Sequence, residues 1–354
     1  MTNAREPVVV AIIGSGFIAG YHVDGLRAAG DVEIAAIAGR TRDKVEAAAR
    51  RFGIPRAETD FRRVLDDRRV DGVVIATPDH THEALAIEAL RAGKEVLLQK
   101  PMAMTASGCR NVLEAAKASS GGVTVSFMHR YFEEVVWLRD LLRSGALGRV
   151  NSFRIRNATP GADWGAWFYD PTKVAGGVVM QLGVHGIDLC GHLFGPVQAL
   201  SARTVTSRPD RELNDGTRVR SALEDDAIAT YQMDSGVIGS HEMSATEIAG
   251  CNRFRLEVYA ERGTVWLRTE RGGAAICAPD VTGRTGWVVP DLPSAALGAR
   301  HHRHWLDIVR GRAARDDTAP AGLRSIEVAE AIYRSDELRC WLDVQNANSG
   351  DSPC

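Results

Sequence analysis

A glycine pair in Gly14-Ser15-Gly16-Phe17-Ile18-Ala19 stands between an apolar run, Val8–Ile13, and a helical pattern, Phe17–Ala29. The spacing G-x-G-x-x-A suits the binding of a dinucleotide pyrophosphate. Gly14 permits a tight turn, Gly16 lets phosphate approach the backbone, and small Ala19 lets helix and strand pack closely. Phe17 and Ile18 open a helix whose N–H groups and dipole favour an anion. A bare glycine pair also makes ordinary turns. The strand before it and the helix after it are what give the pattern weight.

The end of the second strand-like run reads Ala38-Gly39-Arg40-Thr41-Arg42, with no carboxylate to grip a ribose 2′-hydroxyl. Arg40 can pair with a 2′-phosphate and Thr41 can add a hydroxyl, so NADP is favoured over NAD. Thr41 suits the cap of the next helix equally well.

Three further segments carry groups that could manage a proton. Ala76-Thr77-Pro78-Asp79-His80-Thr81-His82 ends one strand, where Pro78 breaks the strand and polar residues can line a nicotinamide. Nothing nearby completes a metal-ligand set for His80 and His82, and no metal is expected. Gln99-Lys100-Pro101 ends the next strand. An ammonium there can hydrogen-bond a hydroxyl and favour its alkoxide character as hydride leaves. On a helix over 178–194, Gln181, His185, Asp188 and His192 fall on one face. His185 could accept and return a hydroxyl proton. The same face could be a metal site or a buried polar seam, and taken alone the seam fits it better. Just before it, Asp163-Trp164-Gly165-Ala166-Trp167 offers flat rings for the apolar faces of a ligand and a carboxylate for its hydroxyls, and Arg156 could add a donor. The rings would serve as well to fill an interface.

These segments need elements to place them. Strand-like runs at Val8–Ile13, Val32–Ala38, 70–76, Glu95–Leu98 and 123–128 alternate with helical patterns at Phe17–Ala29, Arg42–Phe52, 81–92 and 105–119. That rhythm predicts a doubly wound parallel sheet, a Rossmann α/β domain, over 1–128. After a helix at Glu133–Arg143 and a strand at 150–157 the rhythm changes. Residues 198–287 read as strands with turn breaks, the clearest hairpin being Phe254–Ala260 with 264–268. Helices near 297–309 and 322–334 follow. An α+β domain with a large, open, mostly antiparallel sheet is therefore expected over 129–344. The charged stretch 207–221 reads as a mobile loop and 345–354 as a disordered tail.

Composition excludes some classes. Of 354 residues 45% are hydrophobic and 25% charged, with a net charge of −2, so no basic field draws the chain to nucleic acid or anionic lipid. No apolar stretch resembles a signal peptide or a membrane span, and a cytoplasmic address is expected. The six cysteines form no C-x-x-C pair and read as buried or incidental thiols.

Taken in order, G-S-G-F-I-A, A-T-P-D-H-T-H, Q-K-P, S-F-M-H-R-Y and G-G-V-V-M-Q-L-G-V-H-G-I-D resemble the Gfo/Idh/MocA oxidoreductases over nearly the whole chain. The resemblance implies that Lys100 binds the reacting hydroxyl, as in the family's E-K-P motif, and that His185 accepts its proton. It implies that Met128, His129 and Arg130 approach cofactor and substrate. It further implies sugar or cyclitol substrates, and homo-oligomers, dimers or tetramers, formed through the C-terminal sheet. Two positions depart from the family: Gln99 replaces its usual Glu and Gln181 its usual Asp. Each swap puts a neutral amide where an ionised acceptor stood, so Gln181 can orient His185 but stabilises an imidazolium less.

The expected activity is hydride transfer between NADP or NAD and a secondary alcohol or ketone, with Lys100, His185 and Gln181 at the reacting centre. Two other functions fit the same motifs. One is a redox-neutral lyase or glycosidase-type enzyme that oxidises its substrate transiently with a tightly held cofactor. The other is a non-catalytic NAD(P)-sensing regulator.

Overall fold

The structure, a computed structural model, describes residues 7–248, 254–269 and 273–347. The chain divides into two units, Met1–Tyr131 with Ala295–Leu323, and Phe132–Ser294 with Arg324–Cys354. Segment 295–323, expected in the second domain, thus belongs to the first unit.

In the first unit six strands form one sheet. They are β1 (Val8–Ile13), β2 (Val32–Ala38), β3 (Arg56–Glu58), β4 (Gly72–Ile75), β5 (Glu95–Leu98) and β6 (Val123–Val125). Their order is β3-β2-β1-β4-β5-β6 and every pairing is parallel. Continuous Val and Ile runs suit strands covered on both faces, and β4 and β5 are buried throughout. The strand order reverses between β1 and β4, which opens a ligand crevice at the carboxyl ends there. The Arg-Ala-Glu triplet of β3 was not anticipated; it is a short edge strand whose one apolar residue, Ala57, packs on the core but makes no apolar run. β6 is shorter than the apolar run 123–128, because the chain turns into a 3₁₀ helix at Met128–Tyr131. Helix Ala299–Val309 packs on helix Phe17–Ala29, with Trp305 fully buried in the core beside Val23 and Leu26.

The second unit holds β7 (Val150–Ala158), β8 (Val197–Val205), β9 (Asp210–Glu212), β10 (Arg218–Arg220), β11 (Asp226–Met233), β12 (Ile238–Ser244), β13 (Phe254–Ala260), β14 (Gly263–Thr269), β15 (Ala274–Cys277) and β16 (Leu342–Asp343). Eight of them form a sheet in the order β15-β14-β13-β7-β12-β11-β8-β16. All its pairings are antiparallel except β7 with β12. Strict alternation buries Ala227, Ala229, Tyr231 and Met233 of β11 and exposes Ile228, Thr230 and Gln232, so one face is covered and the other open. Helix Val184–Phe194 covers the buried face. The Phe153 ring stacks on Phe194 at 4.4 Å, and Gly186 lies against Asn157 and His241.

Four expectations need correction here. The helix over 178–194 is not uniform: Val179–Gly183 is π-helical, the Val184 N–H reaching back to the Val179 carbonyl. Stretch 207–221 is not a loose loop. It contains the β9–β10 ribbon, anchored by a buried Arg211–Asp225 ion pair at 2.8 Å. Of the tail, Val344–Ala347 is helical, and the rest of that expectation, 348–354, lies outside the described residues. Among the described cysteines Cys109, Cys190 and Cys277 lie outside any disulfide, whereas Cys340 is disulfide-bonded, contrary to the all-thiol expectation. No helix among the described residues is long and apolar enough to cross a membrane.

Candidate active site

The carboxyl edge of the parallel sheet gathers most of the residues singled out in the first unit. After β1, the Gly14 N–H donates to the Ala38 carbonyl of β2 at 2.8 Å, and the Ala76 N–H after β4 donates to the Ile13 carbonyl at 2.7 Å. Gly14 has φ +120°, and a Cβ there would lie 2.5 Å from the Ala76 carbonyl carbon and closer still to its oxygen. Only glycine tolerates both the dihedral and the approach. Gly16 differs. Its backbone is extended, and a Cβ would meet nothing within 4 Å. The helix it opens carries no side-chain cap and no acidic residue in its first turn. Open space at Gly16 over an uncapped helix start is the cradle a pyrophosphate requires, so the residues present fit a dinucleotide.

Around this turn, Arg40 is exposed, and the Thr41 hydroxyl makes no cap hydrogen bond although Thr41 occupies the cap position. Gly39 fits beneath them, its N–H donating to the Glu58 carbonyl at 2.9 Å.

After β4 the Thr81 hydroxyl donates to the Thr77 hydroxyl oxygen at 2.6 Å and lies 2.8 Å from the Pro78 carbonyl, closing the turn. His80 is exposed. His82, expected beside the cofactor, is instead fully buried between two carbonyls, Pro101 at 2.7 Å from Nδ1 and Thr77 at 2.9 Å from Nε2. It ties the segment after β4 to the segment that carries Lys100. Lys100 follows buried Gln99 at the end of β5, half-buried and next to Pro101. Past β6, His129 and Arg130 are buried and Met128 partly so, and Arg130 pairs with Asp317 at 2.6 Å.

In the second unit Gln181, His185 and Asp188 are all buried. The π turn adds a residue to the winding between Gln181 and His185, so simple α-helical spacing does not describe their relative phase. The start of this helix is held by a residue the sequence did not reveal. The Glu224 carboxylate accepts the N–H groups of Gly177 and Val179, each at 3.1 Å, and the Tyr333 hydroxyl proton at 2.7 Å. Burial raises the Glu224 carboxyl above its usual range, although the hydrogen bonds from Tyr333, Val179 and Gly177 oppose the shift. The Gly176-Gly177 pair was the available signal, since a Cβ on Gly177 would run into the Glu224 backbone.

Beneath the helix, Tyr231, His241 and Asn157 form a buried chain, with His241 Nδ1 2.9 Å from the Tyr231 hydroxyl and Nε2 2.9 Å from the Asn157 side-chain oxygen. Burial pushes the His241 imidazole down to about 3, so it is neutral.

The aromatic loop forms its own cluster, in which Trp164 and Trp167 lie edge-on to Phe168 at 5.6 and 5.7 Å. Asp163 is exposed, and its carbonyl accepts the Asn214 N–H at 2.8 Å, which joins the loop to the β9–β10 ribbon. Arg156 does not join this group. Alternation along β7 turns Phe153, Ile155 and Asn157 toward the helix and Arg156 to the other face, where it pairs with Glu247 and Glu242.

Residues 8–127 match the oxidoreductase family described by an NAD-binding Rossmann fold, and residues 135–266 match the GFO/IDH/MocA C-terminal domain. The chain is 27% identical over 338 residues to levoglucosan dehydrogenase of Pseudarthrobacter phenanthrenivorans, covering 84% of this chain and 86% of that protein. It is 25% identical over 354 residues to scyllo-inositol 2-dehydrogenase (NAD(+)) of Bacillus subtilis, covering 98% and 99%. A solved levoglucosan dehydrogenase in complex with NADH shares the fold, with a TM-score of 0.86 at 24% identity over 96% of this chain and 99% of that one. With both of its characteristic domains matched in order, the chain belongs to the GFO/IDH/MocA family of NAD-binding oxidoreductases.

Proposed function

We propose that this chain moves a hydride between a nicotinamide dinucleotide and a secondary alcohol or ketone of a sugar, sugar derivative or cyclitol. One observation carries it: the Gly14–Gly16 cradle and Lys100 lie on one carboxyl edge of a single parallel sheet, in a chain of this family. Relatives named for levoglucosan and scyllo-inositol point to polyhydroxylated substrates.

A nicotinamide dinucleotide held at the Gly14–Gly16 turn would supply the hydride acceptor or donor. Lys100 binds the reacting hydroxyl, and its ammonium stabilises the negative charge that develops on that oxygen. His185 accepts and returns the hydroxyl proton, and Gln181 orients it. As an amide, Gln181 leaves the imidazolium less stabilised than a carboxylate would. Trp164 and Trp167 offer apolar faces to a sugar ring, and the Asp163 carboxylate an acceptor for its hydroxyls.

NADP is the preferred cofactor in this proposal. Exposed Arg40, the uncommitted Thr41 hydroxyl and the missing carboxylate all favour a 2′-phosphate. Self-association through the open face of the second unit's sheet is also part of it, since Ile228 and Ile238 are 60% and 56% exposed there.

The test is a panel of sugars and cyclitols with NAD and NADP, followed by the absorbance of the reduced nicotinamide. A polyol that reduces the cofactor in a Lys100-dependent way is the expected result. Retained cofactor with substrate consumed but no net reduction would replace the proposal with the redox-neutral function. Tight binding without Lys100-dependent turnover would replace it with the regulator. No affinity for either nucleotide would end it.

A further inference from the structure

Gln99 departs from the family's usual Glu, and its surroundings give the amide a specific task. Its side-chain oxygen lies 3.2 Å from the Lys100 backbone N–H, which can only donate. That contact fixes the amide's orientation and turns its NH₂ inward, 2.8 Å from His22 Nε2 and 3.4 Å from the Ser126 hydroxyl. His22 Nε2 must therefore accept, which leaves its proton on Nδ1, 2.9 Å from His302 Nε2. His302 Nε2 accepts in turn, and its own proton sits on Nδ1, 2.8 Å from the Gly298 carbonyl. A carbonyl can only accept. The chain thus begins at an obligate donor and ends at an obligate acceptor, and every link between them agrees in direction without any charge.

We propose that Gln99, His22 and His302 are positioning residues, forming a one-way, uncharged hydrogen-bond chain from the Lys100 N–H to the Gly298 carbonyl that holds Lys100 against the dinucleotide helix. This rests on the role given to Lys100 above. The chain is sealed: His22 and His302 are fully buried, and a Cβ on Gly25 would run into the His302 ring, so glycine is what lets helix Ala299–Val309 approach so closely. Burial, with His302 and His301 nearby, pushes the His22 imidazole well down, and burial pushes His302 down to about 4. Both are neutral at neutral pH, as the chain requires.

A glutamate in place of Gln99 changes the polarity. A carboxylate accepts from Lys100 but cannot donate to His22, so the chain works only while an additional proton is shared between that carboxylate and His22. His301 and Tyr21 adjoin these rings: the His301 ring lies 4.9 Å from His302, and the Tyr21 ring 5.2 Å from both His22 and His302. The Tyr21 hydroxyl lies 3.1 Å from His301 Nδ1, and Asp316, which acts on His301, binds His304 at 3.2 Å and Tyr131 at 2.5 Å.

Two measurements test the chain. In wild-type protein carrying ¹⁵N-histidine, imidazole ¹⁵N shifts are expected to place the proton on Nδ1 in both His22 and His302, unchanged over about pH 6 to 8. The commoner Nε2–H form in either ring would overturn the proposal. This reading needs no turnover, so it stands or falls apart from the role of Lys100, which Lys100→Ala tests. The second measurement is the kcat of Gln99→Glu. It is expected to fall about tenfold or more, with the deficit growing as pH rises and the shared proton leaves. The double variant Gln99→Glu/His302→Gln is expected to recover most of the loss. The amide introduced by His302→Gln can turn to donate, which lets His22 carry its proton on Nε2 toward the introduced carboxylate. A Gln99→Glu enzyme with wild-type kcat and pH profile, or a double variant no better than the single one, would overturn the proposal.

Discussion

Gly14 and Ala76 are packed so closely that a single methyl group at 14 has no room, its carbon 2.5 Å from the Ala76 carbonyl carbon. Two residues on, Gly16 has open space where a Cβ would go. The pair therefore separates folding from binding. Gly14→Ala should lose roughly 1–3 kcal/mol from its left-handed φ alone, with the clash in addition. Gly16→Ala should unfold within about 0.5 kcal/mol of wild type yet bind dinucleotide more weakly. Thermal unfolding and a cofactor fluorescence titration on both variants check this. Unchanged affinity in Gly16→Ala would remove the pyrophosphate from that space.

Lys100→Ala should lower kcat by roughly 10²-fold or more while cofactor affinity stays nearly intact, as the loss of a contact made in the transition state requires. Steady-state kinetics on the best polyol, beside the same fluorescence titration, separate the two effects. A variant that keeps its turnover would leave Lys100 without a role.

The Glu224 cap predicts a pH-dependent stability. Its folded carboxyl is raised by burial above the ordinary value of 4.5, so between those two values the folded chain binds more protons than the unfolded one. Stability from this group is full below 4.5 and falls as pH rises through the raised value. Glu224→Gln cannot titrate. Its deficit relative to wild type should therefore shrink as pH rises across that window, and denaturant unfolding at several pH values reads it. The amide also has one acceptor oxygen in place of two, which costs about 1–3 kcal/mol at a buried helix start. A deficit that grows with pH would contradict the assigned shift.

Local patterns were legible in the sequence where local physics decides the structure. Val8–Ile13 and Phe17–Ala29 are bounded as their patterns suggest, and the glycine turn falls where the fingerprint placed it. What escaped notice depends on distant partners. His22 reads as one polar residue on a helix face until His302, 280 positions away, meets it. Glu224 lies in a stretch without pattern, yet it caps a helix 45 residues earlier. Arg211 made 207–221 look like solvated charge, because nothing local shows that Asp225 will bury it. The π turn at Val179–Gly183 likewise has no signature in apolar spacing.

That hidden ion pair carries its own prediction. The Arg211 guanidinium binds Asp225 and also donates to the carbonyls of Arg208, Pro160 and Ala245, with both charged side chains only 6% and 7% exposed. Arg211→Met leaves Asp225 buried with only the N–H groups of Ser207 and Arg208 as partners. A loss of about 3–5 kcal/mol is expected for one member of a buried pair. Limited proteolysis should then cut within 207–221. Because the ribbon holds Asp163 through Asn214, KM for the sugar should rise more than kcat falls. Resistance to proteolysis equal to wild type would show that the ribbon is held by something else.

The proposed preference for NADP rests on Arg40, which is exposed at the end of β2 beside a Thr41 hydroxyl that caps nothing. A guanidinium on a 2′-phosphate makes charge-assisted hydrogen bonds worth about 1.5–3 kcal/mol. Arg40→Ala should therefore lower kcat/KM for NADP by roughly 10- to 150-fold, by the same arithmetic, and barely alter it for NAD. Salt sharpens the test. An exposed ion pair is screened, so the preference of the wild type for NADP should narrow as ionic strength rises, and that of the variant should not. Arg40→Asp should go further and favour NAD, since its carboxylate would accept from the ribose hydroxyls and repel the phosphate. A wild type that prefers NAD, with a ratio Arg40→Ala does not move, would mean the 2′ end of the cofactor is read by other residues.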